Sequence, residues 1–397
     1  LDQAEAALFL NRASRRLDDA LEIVKPIVQD VRDRGDAAVR EYAEKLDGFT
    51  GESFVIDSCG ELDPALLESV TIAAKNIRDF AQQQLVKPWQ TTTSDGRTLG
   101  QLVRPLDSVG VYVPAGRYPL LSTMLMTVIP AQVAGVGTIT VVCPQPNTQI
   151  LALAKWLGLT TIVQLGGAQA IASLAYGTQS IAKVQRIVGP GNSYVAAAKK
   201  LVAGDVGIDF VAGPSEIVLV ANAGDPTWIA ADMLAQCEHD VEARALLLTT
   251  SAAFATQVQH EVAAQLATLP TADVAAKSIE KNSAIIVCAD EVEIIDLVNE
   301  IAPEHLSLPN NLLIGQIRNA GSIFIGPFST EAAGDYASGP NHVLPTSGVA
   351  ALRGGLSVND FVKVITTQSL SEDALRQLTP AVTQLARAEG LEAHARS

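Results

Sequence analysis

From residue 109 onward, short apolar runs alternate with helix-like stretches, and this alternation narrows the fold more than any other feature. The runs 110–113, 138–143, 161–165, 186–188 and 217–220 are separated by segments long enough for a helix. Short strands buried on both faces, with helices between them, form a parallel sheet. Gly158 follows Lys155-Trp156-Leu157 and Gly177 follows Leu174-Ala175-Tyr176, each where a helix end favours a left-handed residue. Asp225-Pro226 then pairs an N-cap with a proline at the first helical position. Beyond it the alternation resumes, with strand-like runs at 245–249, 285–288 and 322–325 and helical stretches at 252–268 and 291–301. The expected architecture is α/β with two sheets.

The flanks read differently. The first fifty residues are charged and helical in pattern, with Arg34-Gly35-Asp36 as a helix stop followed by a new N-cap, and suggest packing rather than chemistry. After Gly326 the chain is rich in Gly, Ser, Pro and Asn, and it ends in a helix expected to open at Thr379-Pro380. With 397 residues, 48% hydrophobic and 18% charged, the chain can bury more than one core. A net charge of -15 argues against nucleic-acid or anionic-membrane partners and favours a small cationic substrate. Cys59, Cys143, Cys237 and Cys288 are too few and too far apart for a disulfide framework, which points to a reducing cytoplasm. Apolar stretches are cut by Pro, Gly or charge before about twenty residues, so none reads as a membrane span. No signal peptide opens the chain, and the missing initiator Met predicts a trimmed N-terminus.

Five histidines are present, and His239 and His394 lie in segments that, with Gln236, Asp335 and Glu389, have the makings of one metal site. A helix is expected over 226–240, placing Gln236 and His239, three apart, on one face that can hold an ion. A surface Gln and a capping His explain the same pair without metal. Cys237 diverges from Gln236 by about 100 degrees on a helix and is assigned to the core. Glu304-His305 stands between the helix ending near Ile301 and the apolar Leu306-Ser307-Leu308. Such a pair suits acid–base work near neutral pH. A strand there would turn the two side chains to opposite faces, and a solvated turn would give them no role. The segment 334–342 reads as a loop without helix or strand period; Asp335 offers a hard oxygen ligand and His342 a donor for substrate. Gly166-Gly167-Ala168-Gln169 and Gly189-Pro190-Gly191-Asn192 each follow a strand and lead into a helix, where backbone N–H groups meet phosphate or ribose oxygens. Neither has the spaced glycines of the dinucleotide fingerprint, and glycines are routine at such turns.

Taken together, the chain resembles the histidinol dehydrogenase family over almost its whole length. The matching stretches are Gly110-Val111-Tyr112-Val113-Pro114, Gly166-Gly167-Ala168-Gln169-Ala170, Gly189-Pro190-Gly191-Asn192, Ala212-Gly213-Pro214-Ser215-Glu216, Ala302-Pro303-Glu304-His305-Leu306, Gly334-Asp335-Tyr336-Ala337-Ser338-Gly339 and Glu389-Gly390-Leu391 with His394. The resemblance implies two incomplete Rossmann-like domains with small N- and C-terminal dimerisation elements. One domain is expected from 1–108 with 216–345, a second, NAD-binding one from 109–215, and a tail over 346–397 that reaches the partner subunit.

The resemblance further implies zinc held by Gln236, His239 and Asp335 of one subunit and His394 of the other, in an intertwined homodimer. Tyr112, Gln169 and Asn192 would contact NAD. Ser215, His342 and Glu389, with Gln236, His239, His305, Asp335 and His394, would contact L-histidinol. Glu304 and His305 would move protons: His305 as base for the hydroxyl, Glu304 for the water that hydrates the aldehyde. The implied reaction is the four-electron oxidation of L-histidinol to L-histidine, the last step of histidine biosynthesis, in the cytoplasm. Ala115, Arg117 and Cys237 depart from the common pattern. Arg117 resembles the Gly-Arg-Tyr-Pro sequence of related dehydrogenases acting on sulfonated alcohols, the alternative substrate class. A zinc hydrolase and a non-catalytic imidazole sensor are further alternatives.

Overall fold

A computed structural model describes residues 15–114 and 120–397, so Ala115 and Arg117 lie outside the described residues. Along the chain, β1 (Val55–Asp57) precedes a hairpin, β2 (Trp89–Thr92) and β3 (Arg97–Pro105). Next come β4 (Ser108–Tyr112), β5 (Thr138–Val142), β6 (Thr161–Val163), β7 (Arg186–Val188) and β8 (Gly207–Ile208). A second run follows: β9 (Glu216–Val220), β10 (Arg244–Thr249), β11 (Ala284–Val287), β12 (His305–Leu308) and β13 (Ser322–Ile325). β14 (Val362–Leu370) is last.

These strands make three sheets, ordered β1-β6-β5-β4-β7-β8, β11-β10-β9-β12-β13 and β14-β3-β2. β4 to β8 are parallel, with β1 added antiparallel at β6. The second sheet is parallel throughout. From its first strand, each parallel array grows two strands to one side and then two to the other, which is the Rossmann order short of its sixth strand. The expected pair of incomplete Rossmann-like units is therefore present, and it is a duplication of topology without a visible sequence repeat. Each of the first two sheets separates two apolar cores, which is why β4, β9 and β10 are apolar almost throughout rather than alternating. The helix Leu121–Ala134 is likewise buried on nearly every side.

Four expectations need correction. Residues 15–57 do not join the second sheet. The helix Arg15–Arg34 buries Val24, Val28 and Val31 in the core shared with the helices Gly167–Tyr176 and Ser193–Val202, and β1 pairs with β6. The helix Pro64–Gln84 likewise packs on Leu121–Ala134, because its Val70, Ala73, Ala74 and Ile77 form an apolar stripe. The new N-cap after Arg34 is Gly35, at φ 57°, not Asp36. The last long helix spans Glu372–Ala388, capped by Ser371, and carries Pro380 inside it at the loss of one backbone hydrogen bond. A short helix, Glu392–Arg396, follows.

β2, β3 and β14 form an antiparallel arm with the C-terminal helices attached. Exposed Trp89, Val364, Ile365, Leu375, Leu385 and Leu391 mark it out from the two domains. No described helix is long and apolar enough to cross a membrane.

Candidate functional site

The chemistry gathers at the amino edge of the second sheet. The helix Glu291–Ile301 ends on Ala302 in a left-handed conformation, φ 49°, and Pro303-Glu304 leads into β12. The strand begins only at His305, so strict alternation does not yet apply at Glu304. Its Oε2 accepts from the Glu216 N–H at 2.9 Å and lies 3.7 Å from His305 Nδ1. Both side chains are buried. A side chain at position 321 would stand 2.6 Å from the Glu304 carbonyl, which requires glycine there.

His305 is ringed by acids. Nδ1 donates to the Glu216 carbonyl at 3.2 Å and lies 3.5 Å from Glu331 Oε1, while Nε2 lies 3.6 Å from Asp335 Oδ1. Burial alone would lower its pKa, but Glu304, Glu331 and Asp335 together raise it to about 10. Burial pushes Glu304 and Glu331 up to about 8, against the opposing pull of His305. Asp335 goes the other way: despite burial, its contact with His305 and the nearby His342 and His239 hold it low. Asp335 thus carries the negative charge and His305 the proton.

The segment expected to be a loop holds a short helix, Glu331–Tyr336, capped by Thr330. Its four-residue spacing turns Glu331 and Asp335 to one face, toward His305. The helix at Pro226 opens on Asp225, as the sequence predicts, but closes at Cys237, before His239. Gln236 is wholly buried, and His239 is exposed just past the helix end. With its amide nitrogen facing the acid, the orientation that satisfies both ends, Gln236 donates to Glu331 Oε1, and to Oε2 at 3.3 Å. Cys237 is core, with its sulfur 3.4 Å from Ser283 Oγ. His342 Nδ1 donates to the Asp335 carbonyl at 2.7 Å, and desolvation lowers its pKa. A cleft of about 440 Å³ opens beside His305, Phe324, Asn341 and His342.

The structure therefore brings Gln236, Glu304, His305, Asp335 and His342 together, with His239 at the rim. Ser215 is half-buried one residue before Glu216, and its carbonyl accepts from the Arg244 N–H at 3.0 Å. Glu389 and His394 are exposed on the arm, outside the group of side chains around His305. Sequence reasoning assigned no role to Glu331 or Glu216. An acid as the first residue of an apolar strand is the signal for Glu216; buried, it needs partners, and it has the Ser347 N–H at 2.9 Å and Arg244 at 3.9 Å.

Metal-binding capacity follows from the same group. One ligand atom each from His305, Glu331 and Asp335 lie within 4.8 Å of one another, a mixed nitrogen and oxygen set that fits a zinc-like cation. Only Asp335 belongs to both this trio and the expected quartet of Gln236, His239, Asp335 and His394.

The three residues expected at NAD lie at the carboxyl edge of the first sheet, beside the reversal between β4 and β7. Tyr112 is buried, its hydroxyl accepting from the Gly167 N–H at 3.2 Å, and burial pushes its pKa up to about 12. Gln169 is fully buried and donates to Asp47 Oδ2 at 2.9 Å, leaving its own Oε1 without a partner. Asn192 caps the next helix, accepting from the Tyr194 and Val195 N–H groups, each at 3.1 Å. Asp47 also accepts from the Gly166 N–H at 3.0 Å. The first glycine turn thus spends donors on internal acceptors rather than holding them free for phosphate.

Two parallel units, the second carrying a buried acid–base group, make this a two-domain α/β protein of the fold seen in an acetylating aldehyde dehydrogenase of Geobacillus thermoglucosidasius. That likeness is one of fold alone, with a TM-score of 0.52 at 13% identity over 93% of this chain and 97% of that one. The model of the family described as histidinol dehydrogenase matches residues 10–397, and the chain belongs to that family. It is 48% identical to the histidinol dehydrogenase of Geobacillus kaustophilus, over 94% of this chain and 92% of that protein. It is 44% identical to that of Methanothermobacter thermautotrophicus, over 100% and 96%. A crystal structure of histidinol dehydrogenase from Elizabethkingia anophelis superposes with a TM-score of 0.93 at 34% identity, covering 100% of this chain and 95% of that one.

Proposed function

We propose that the chain oxidises L-histidinol to L-histidine through the aldehyde, with NAD as hydride acceptor and zinc as cofactor, the last step of histidine biosynthesis. The observation that carries this reading is His305, buried against Glu304 and Asp335 beside an open cleft. Zinc, when bound, orients the amine and imidazole of the substrate. Gln236, His239 and Asp335 would hold it, with His394 from a second copy. NAD, when bound, accepts the hydride of each half-reaction.

The chain's own residues supply the proton chemistry. Nδ1 of His305 is engaged by the Glu216 carbonyl, so Nε2, once it has given up the proton it turns toward Asp335, is the atom that takes the hydroxyl proton. Glu304, anchored by the Glu216 N–H, takes the proton of the water that adds to the aldehyde. Ser215, His342 and Glu389 would fix the substrate. Gln169, with an unpartnered buried oxygen, would border the dinucleotide with Tyr112 and Asn192. The exposed apolar residues of the arm suit burial against a second copy, in a homodimer whose C-terminal tails exchange. Four free cysteines, three of them buried, suit the cytoplasm.

The test is the appearance of NADH on addition of histidinol and of histidinal, with and without a chelator. Chelator-sensitive activity on both is expected. Activity confined to sulfonated alcohols, or hydrolysis without NADH, would overturn the reading.

A further inference from the structure

We propose that Glu331 is a positioning residue: it fixes the amide of Gln236 so that the oxygen, and not the nitrogen, is turned to the cation. The inference rests on the zinc-dependent reading above and deepens it. A glutamine amide presents oxygen and nitrogen with nearly the same shape, yet a cation accepts only the oxygen. A buried glutamine ligand therefore needs something to decide which end points where.

The structure supplies that device. Gln236 is wholly buried near the C-terminus of the helix Pro226–Cys237. Its amide nitrogen is held by both oxygens of Glu331, and its oxygen turns to the opposite side, where the neighbouring groups are donors. That oxygen is the one end of the amide a divalent cation accepts. Glu331 is itself 3% exposed, so its carboxylate finds partners in the Gln236 amide and His305 rather than in water. It stands one helical turn before Asp335, the acid common to both ligand sets. One short helix would thus deliver a ligand directly and a second ligand indirectly, through the amide it orients. Groups behind metal ligands commonly set ligand direction in this way, at about 10- to 100-fold in affinity.

The competing assignment makes Glu331 a ligand itself, as the close approach of its oxygen to His305 and Asp335 allows. Titration of zinc into the chelator-stripped full chain, against a chromophoric chelator, separates the two. Glu331→Gln retains an acceptor oxygen for the Gln236 amide, whereas Glu331→Met retains volume without one. The expected result is that Glu331→Met weakens zinc binding about 10- to 100-fold while Glu331→Gln keeps most of it. Glu331→Met combined with Gln236→Ala should bind no more weakly than Gln236→Ala alone, because both act through one contact.

Equal losses in Glu331→Gln and Glu331→Met, or losses that add in the double variant, would overturn the proposal and make Glu331 a ligand. If Glu331→Met does not fold, the comparison of Gln236→Ala with Glu331→Gln decides: the first must lose zinc and the second keep it. An unaltered chain that takes up no zinc defeats the zinc-dependent reading itself, a result distinct from zinc bound with the wrong order of variants.

Discussion

In the first sheet the notable residues gather where strands end, at Tyr112, Gly166 and Gly189; in the second they gather where strands begin, at Glu216, Arg244 and His305. The strand order of the two parallel arrays is the same. Their charges are handled differently. At the first edge, polar groups are consumed internally: Asp209 accepts from the Gly189 N–H at 2.8 Å and pairs with buried Lys199, whose Nζ donates to the Gly189 carbonyl at 3.0 Å. At the second edge, acids outnumber the cations that face them, and a proton or a metal must make up the difference. One copy of the topology has become a shelf of internally paired polar groups and the other a buried acid–base cluster that could hold a metal. Cross-links tie them together, with Asn341 donating to the Met126 carbonyl at 2.6 Å and Asn76 to the Ala337 carbonyl at 2.8 Å.

The sharpest way to break this contrast is at the second edge. Glu304→Gln should oxidise histidinol to the aldehyde slowly but fail on the aldehyde itself, while His305→Ala should slow both halves by about 10²- to 10⁴-fold. Single-turnover NADH formation from histidinol and from histidinal measures each half separately. Equal impairment of both halves in Glu304→Gln would remove the division of labour.

At the shelf the effect should fall on folding rather than turnover. Lys199→Met strands the Asp209 carboxylate in a site with almost no solvent access, at a cost of about 3–5 kcal/mol in unfolding free energy. Chemical denaturation reads it, and a change under about 1 kcal/mol would show that the pair is replaceable.

The protonation of the second edge gives the next test. Glu304 and Glu331 rise from 4.5 to about 8 and His305 from 6.5 to about 10, so all three bind protons more tightly folded than unfolded. Their contribution is complete below the unfolded values and is lost as pH rises, through about 8 for the acids and about 10 for the imidazole. Desolvated His342 shifts the opposite way but is neutral in both states above its ordinary value of 6.5, so metal-free protein should melt at progressively lower temperature from about pH 7 to about pH 9, with saturating zinc flattening the slope. A melting temperature that climbs over that range contradicts the assignment of His305 as the proton holder.

Much of this was legible in residues 109–325, where burial on both faces leaves strands as uninterrupted apolar runs; the helix at 291–301 and the strand at 322–325 fall where the sequence predicts them. Legibility failed where partners are distant. β14 is exposed along eight of its nine residues and has no apolar period, so only its pairing with β3 defines it. The charged helix Arg15–Arg34 conceals its destination because a stripe of valines does not say which sheet it will meet. Glu304, His305 and Asp335 were readable as chemistry, whereas Glu331 becomes visible only once 331–336 is known to be a helix and its spacing from Asp335 acquires a direction.

The smallest expected effect sharpens the comparison most. Asp47 comes from a π-helical turn, Ala43–Asp47, yet its Oδ2 holds both the Gly166 N–H and the Gln169 side chain at the first sheet's carboxyl edge. Asp47→Asn keeps one oxygen, so the turn should lose only about 1 kcal/mol. Gln169, however, loses the charge that orients it, and its free oxygen is the atom proposed to border the dinucleotide. The expected outcome is a several-fold rise in KM for NAD with kcat and zinc content unchanged, because neither His305 nor its acids are touched. If kcat falls instead, the two edges are coupled more tightly than their separate hydrogen-bond networks imply, and the division between shelf and proton site does not hold.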